Sequence, residues 1–234
     1  MNLVLVAHGT RKARGLDMIG DLASRVAGTL RRPVHVAFVD VLGPTPAEVL
    51  SSCRMFESPA IVVPAFLSRG YHVNVDLPAY VAASEHPAVT VTEPLGPSPQ
   101  IVRVVAQRLA ESGWRPGDSV VLAAAGTSDS TAMTDLRSSA TLLSAMTGER
   151  VELAFAATGS PHVADAVAQM RARGARRVVV ASYLLADGLF QDRLRASGAD
   201  LVTEPLGLHP ATIRFVANRF RRARLPRDLH HAVG

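Results

Sequence analysis

The strongest constraint on the fold of this 234-residue chain is that it matches itself. The segment TEPLGPSPQIVRVVAQRL, Thr92–Leu109, returns as TEPLGLHPATIRFVANRF, Thr203–Phe220, with five identical residues in succession at its start. At an offset of 117 residues, LVAHGT (Leu5–Thr10) lines up with AAAGTS around Gly126, and VHVAFVD (Val34–Asp40) lines up with VELAFAA (Val151–Ala157). IVVPAFL (Ile61–Leu67) matches VVVASYL (Val178–Leu184) at the same offset. Self-similarity of this length marks two copies of one folding unit. Gly113, Pro116 and Gly117 forbid a continuous helix where the copies join, near Ser112–Asp118. The expected division is residues 1–115 for an N-terminal lobe and 116–234 for a C-terminal repeat lobe ending in a basic tail.

Within the first copy, four short apolar runs (Leu3–Ala7, Val34–Val39, Ala60–Val63 and Val89–Thr92) alternate with stretches of helical period such as Leu16, Ile19, Leu22, Val26 and Leu30. Strands that are apolar throughout, rather than at every second residue, are covered on both faces, and helices between them make the sheet parallel with right-handed crossovers. The expected class is α/β, with two similar doubly wound lobes of flavodoxin-like topology facing each other across a cleft.

In such sheets the ligand site lies beyond the carboxyl ends of the strands. Strand one ends in Ala7-His8-Gly9-Thr10, strand two in Phe38-Val39-Asp40, and strand three in a loop running through Ser68-Arg69-Gly70-Tyr71-His72. A strand order of 2-1-3-4 makes these loops neighbours, so two imidazoles and a carboxylate are expected to face one cleft. Those are donor types that a divalent transition metal uses. Taken singly, each histidine could instead be a structural imidazole at a strand end, and Asp40 a turn or cap residue. The repeat bears on that choice. The second copy has Ala125 for His8, Ala157 for Asp40 and, one gap later, Phe190 for His72. Structural groups would be needed in both copies, so their joint loss assigns one shared task to the first lobe.

Other features exclude more than they suggest. The turns Gly9-Thr10 and Gly126-Thr127-Ser128 could hold an anion on backbone amides, but no dinucleotide or P-loop glycine motif is present. His35, His86, His162, His209, His230 and His231 read as structural or solvated. The lone Cys53 falls in a helical apolar pattern with Val49, Leu50 and Phe56, the setting of a buried, inert thiol. The formal charge of +5 becomes neutral without Arg219, Arg221, Arg222, Arg224 and Arg227, and only 5% of residues are aromatic, so no nucleic-acid partner is expected. No apolar run approaches the ~18 residues of a membrane span, and the amino terminus lacks a charged leader, so neither a membrane partner nor secretion is expected and the cytoplasm is the expected location.

The residues L-V-A-H-G-T at the start, F-V-D after strand two and P-A-F-L-S-R-G-Y-H-V-N-V-D-L-P after strand three resemble the sirohydrochlorin chelatases, the small class II tetrapyrrole chelatases of sirohaem and cobalamin biosynthesis. The likeness spans the whole chain, including both TEPLG segments, in the manner of family members that fuse two lobes. It implies a lyase that inserts Co²⁺ or Fe²⁺, sometimes Ni²⁺, into sirohydrochlorin without ATP. The metal is then a substrate, and no tightly bound cofactor is expected. By the resemblance His8 and His72 handle the metal and accept protons. Asp40 takes the place of an acidic residue that is often glutamate, one methylene longer. Arg11, Arg14 and Arg69 flank the histidine loops and could pair with the carboxylates of the substrate, while Phe66, Leu67, Tyr71, Leu189 and Phe190 could line the cleft around the ring. Fusion supplies internally what a single-lobe chain gains by pairing, so a monomer is expected. Histidine phosphatases also place a histidine before glycine after strand one, but need an arginine before it, where Ala7 stands. The remaining alternative is a metal-binding or metal-delivery protein without catalysis.

Overall fold

The computed structural model describes residues 1–53 and 58–223; the readings of Phe56, Arg224, Arg227, His230 and His231, and of the Cys53 side chain, lie outside what it describes. The first copy folds as β1 (Asn2–Ala7), α1 (Ala13–Leu30), β2 (His35–Phe38), α2 (Pro46–Cys53), β3 (Ala60–Pro64), α3 (Leu77–Ala83), β4 (Val89–Val91) and α4 (Pro99–Glu111). The second repeats it with β5 (Ser119–Ala124), α5 (Ser130–Thr147), β6 (Val151–Phe155), α6 (Val163–Ala172), β7 (Val178–Tyr183), α7 (Leu189–Arg195), β8 (Leu201–Val202) and α8 (Pro210–Ala223). Each copy makes a four-stranded sheet, in the orders β2-β1-β3-β4 and β6-β5-β7-β8, and every pairing is parallel.

Local chemistry starts the helices. Ser98 precedes Pro99 and accepts a hydrogen bond from the Ile101 amide at 3.2 Å, and Asp129 does the same for Ala132 at 2.9 Å, satisfying donors that a helix leaves open at its first turn. Register corrects one step of the repeat. Asn2 pairs with Ala60 and Ser119 with Val178, so the offset is already 118 residues in the third strands. The one-residue gap lies before β7 rather than after it. His72 then falls on Phe190 with no further gap, as expected, and Gly70 falls on Gly188.

Alternate residues of each strand enter different cores. Val4, Val6, Ala60 and Val62 pack outward under α2 and α3, and Val121, Ala123, Val178 and Val180 pack under α6 and α7. The opposite faces (Leu3, Leu5, Ile61 and Val63 in one sheet, Val120, Leu122, Val179 and Ala181 in the other) share a single core with α1, α4, α5 and α8. The last helix of each copy crosses over: α4 packs on β7 and α5, and α8 packs on β3 and α1. The central core therefore belongs to both halves. Continuous apolar strands reveal that both faces are covered, but not by which copy's helix.

Candidate active site

His8 follows β1 directly, and Gly9 after it takes φ +97°, where a side chain would collide with the carbonyl oxygen of Asp40. Only glycine permits this approach, and it brings the end of strand two against the end of strand one. His8 Nε2 lies 3.9 Å from Asp40 Oδ2. The other carboxylate oxygen of Asp40 accepts from the Val41 amide at 2.7 Å. Val41, a β-branched residue, is held at φ +72°, a conformation that costs roughly 1–3 kcal/mol and is typically retained at functional sites.

The third strand feeds its loop into a π-type turn, His72–Asp76, whose closing bond runs from the Leu77 amide to the His72 carbonyl. The turn places Asp76 one helical step beyond His72, and its Oδ2 meets His72 Nδ1 at 2.6 Å. The rings of His8 and His72 stand edge to face with centroids 4.6 Å apart and an 89° angle between planes. Phe66 stacks beside His72 at 6.2 Å, and Tyr71 meets it edge-on at 6.2 Å. The expected trio, His8, Asp40 and His72, is thus brought together.

Tautomers follow from the partners. A carboxylate oxygen faces His72 Nδ1, and the Gly9 carbonyl faces His8 Nδ1 at 3.2 Å. Both are acceptors, so a neutral ring keeps its proton on Nδ1 and offers the Nε2 lone pair. Among the described residues no three His, Cys, Asp or Glu side chains are arranged to hold a metal ion together. The site is a pair of imidazoles, each with a carboxylate beside it, Asp40 at His8 and Asp76 at His72.

The two halves enclose a cleft of about 720 Å³. Its first-half wall carries His8, Arg11, Lys12, Phe66, Tyr71 and His72; its second-half wall is Ala125, Gly126, Ala157, Leu189 and Phe190 among others. Exposed large side chains line the cleft from both halves: Val41 and Tyr71 on one side, Leu189 and Phe190 on the other.

The arginines depart from expectation. Arg69 forms a bidentate pair with Asp135, through Nη2 at 2.6 Å and Nε at 3.1 Å, and Arg14 pairs with Asp192 and Asp187. Both cations face carboxylates of the other half, so they hold the halves together and do not stand free for a ligand. Arg11 lines the cleft without an internal partner among the described residues. Sequence reasoning passed over Lys12, which lines the same wall, and Arg193, whose guanidinium lies 5.9 Å from the centre of the Phe190 ring while Nη1 donates to the Ala156 carbonyl at 3.1 Å. It also passed over Asp76, although the His-x-x-x-Asp spacing ahead of a helix was a legible signal for it.

Comparison with known proteins now decides the family. The family model described as CbiX matches residues 2–112 and again 119–223, one match for each copy. The chain belongs to the CbiX family. As a two-copy CbiX chain it is 25% identical to the sirohydrochlorin cobaltochelatase of Priestia megaterium over 204 residues, 82% of this chain and 67% of that one. A shorter relative, the sirohydrochlorin cobaltochelatase of Methanothermobacter thermautotrophicus, is 26% identical over 129 residues, 47% of this chain and 90% of its own. The solved structure of SirB from Bacillus subtilis with Fe³⁺ has the same fold, with a TM-score of 0.81 at 21% identity over 95% of this chain and 96% of that one.

Proposed function

We propose that this CbiX protein is a sirohydrochlorin chelatase, a lyase that inserts a divalent metal, Co²⁺ or Fe²⁺, into the tetrapyrrole of sirohaem and cobalamin biosynthesis. The observation that carries the reading is the pair of imidazoles 4.6 Å apart on one wall of a two-sided cleft whose opposite wall presents Ala125 and Phe190 at the equivalent positions. Insertion requires that an ion lose water and that two pyrrole N–H protons leave. His8 and His72 supply lone pairs suited to both tasks. An incomplete donor set suits an ion that has to be passed on, because a closed cage would hold it against transfer to the ring. Asp40, within 4 Å of His8, stabilises that ring once it has taken a proton, and Asp76 does so for His72. Leu189 and Phe190 form the face against which a flat macrocycle rests. Arg11 and Lys12 line the cleft and are the cations that would meet its carboxylates, Lys12 in exchange for its 4.0 Å contact with Asp192. The relatives named cobaltochelatase and the family match support the reading.

The test is the visible absorption of sirohydrochlorin mixed anaerobically with purified protein and Co²⁺, Fe²⁺ or Ni²⁺ in turn, against metal-only controls. Acceleration with at least one metal, lost in His8→Ala, is expected. Tight metal binding without acceleration by any metal would overturn insertion in favour of metal delivery.

A further inference from the structure

The halves are tied together twice at equivalent places, once through the loop that ends in His72 and once through its counterpart, which ends in Phe190. In the first tie Asp135 of α5, only 2% exposed, takes three hydrogen bonds from Arg69: from the main-chain amide at 2.8 Å, from Nε at 3.1 Å and from Nη2 at 2.6 Å. Two residues earlier, the carbonyl of Leu67 accepts from the hydroxyl of Tyr183 on β7 at 3.1 Å. Ser139 Oγ lies 3.1 Å from that hydroxyl, and burial pushes the phenol up to about 12, so it remains a donor at any ordinary pH. One residue after Arg69, the carbonyl of Gly70 accepts from the amides of Val73 and Asn74 at 3.0 Å each, and so anchors the turn that presents His72.

The second tie has the opposite polarity and a weaker hold. The residue equivalent to Arg69 is Asp187, and the helix contributes Arg14, which pairs with Asp187 and Asp192. Arg14 is about as exposed as Arg69, 50% against 48%, but its carboxylate partners are less buried, Asp187 at 15% and Asp192 at 37% against 2% for Asp135, and neither accepts a main-chain amide from the other half. Exposed pairs of this kind contribute roughly 0–1 kcal/mol. A buried carboxylate that binds a main-chain amide is far less free to move, because any departure leaves it unsatisfied.

We propose that Asp135 and Tyr183, both from the half that lacks the site, are positioning residues for His72: they fix the Leu67–Tyr71 loop and, through Gly70, the orientation of the imidazole toward His8. The proposal rests on the chelatase reading for its kinetic arm only. It gives the second half a task beyond forming a wall, since one half alone would leave the histidine loop without its two anchors.

Asp135→Asn, Tyr183→Phe, which conserves ring volume, and the control Asp192→Asn, which weakens the second tie, are compared in the full chain. Readouts are kcat and KM for metal insertion, amide hydrogen exchange at Arg69–Asn74, and the ring ¹⁵N shifts of His72, assigned by their loss in His72→Ala. Expected for Asp135→Asn is a fall in kcat of about tenfold, with KM for the tetrapyrrole within about twofold. Exchange at Arg69–Asn74 should quicken, strand amides of β1 and β5 should be unchanged, and the Nδ1–H pattern of His72 should broaden or move. Tyr183→Phe should show the same changes in smaller degree. Asp192→Asn should show none of them. Equal loss of kcat in Asp192→Asn would reduce the tie to docking of the halves and overturn the proposal. So would unaltered exchange and His72 shifts in Asp135→Asn, whatever the activity. Absence of insertion in the wild-type protein would instead sink the chelatase reading, with the exchange and ring measurements still deciding the tether.

Discussion

At the carboxyl edges of the two sheets the same pair of main-chain bonds joins the first two strand ends, while the side chains there differ. Val39 N donates to Ala7 O at 3.0 Å and Asp40 N to His8 O at 3.1 Å; in the second half Ala156 N donates to Ala124 O at 2.8 Å and Ala157 N to Ala125 O at 2.9 Å. Gly9 and Gly126 both take positive φ, and each approaches a carbonyl of the neighbouring loop. Alanine therefore supports the main-chain bonds between these strand ends as well as histidine or aspartate does, and the one added turn contact in the first half is the bond from the Val41 amide to the Asp40 carboxylate. The side chains of His8 and Asp40 are 47% and 56% exposed, so neither is needed to fill a core, which is the physical content of the asymmetry between the halves.

The comparison breaks most visibly if the first-half imidazoles are dispensable. His8→Ala and His72→Ala are each expected to lower kcat/KM for insertion about a hundredfold, near 2.7 kcal/mol of transition-state stabilisation. The melting temperature should stay put, since neither ring is in a core. Retention of more than half the activity in both variants would dissolve the distinction between the halves. Asp40→Ala should cost less, about three- to tenfold, because it acts on His8 across 3.9 Å instead of on the substrate.

A second asymmetry is thermodynamic. Where the first half has Ala65, the second has Tyr183, whose folded pKa of about 12 exceeds the ordinary 10. Folding thus favours the protonated phenol. Its contribution is complete below pH 10 and is lost as pH rises from 10 to 12, when the unfolded chain releases the proton first. Chemical denaturation across that range should show stability falling by roughly 2–3 kcal/mol more in wild type than in Tyr183→Phe. Parallel curves would place the phenol in a wetter setting than its burial implies.

Phe190→Ala sharpens the comparison from the other wall. If Phe190 only supports the ring, KM for the tetrapyrrole should rise about three- to fivefold with kcat within twofold; a large fall in kcat would make the second half a chemical contributor. Ala125→His has the smallest expected effect, none on activity and none on metal stoichiometry. The restored imidazole would face Ala157 and Phe190, not a carboxylate and a second imidazole, so appearance of an extra bound metal per chain would contradict the one-site account.

Much of this was legible in the chain. The two copies, the parallel strands, the 2-1-3-4 order and the convergence of His8, Asp40 and His72 follow from short-range patterns and from a rule about strand ends, and the structure reproduces them. The step of the repeat was misplaced by one strand because β3 and β7 are both runs of small apolar residues, which match one another at either register. Arg14 and Arg69 were read as free cations because their neighbours in sequence are loops that border the cleft. Their carboxylate partners lie 178 and 66 residues away.

By itself, then, the sequence determined the folding unit, its duplication and the identity of the groups at each strand end, since periodicity, turn chemistry and donor type are properties of neighbouring residues. Tertiary structure alone decided that α4 and α8 exchange sheets and that Asp135 and Tyr183 reach the histidine loop from the other half. Both copies carry helices with equivalent apolar faces, so either sheet could accept either helix, and the choice rests on how the shared core closes. The contacts across that core join residues far apart along the chain, where no local pattern records them.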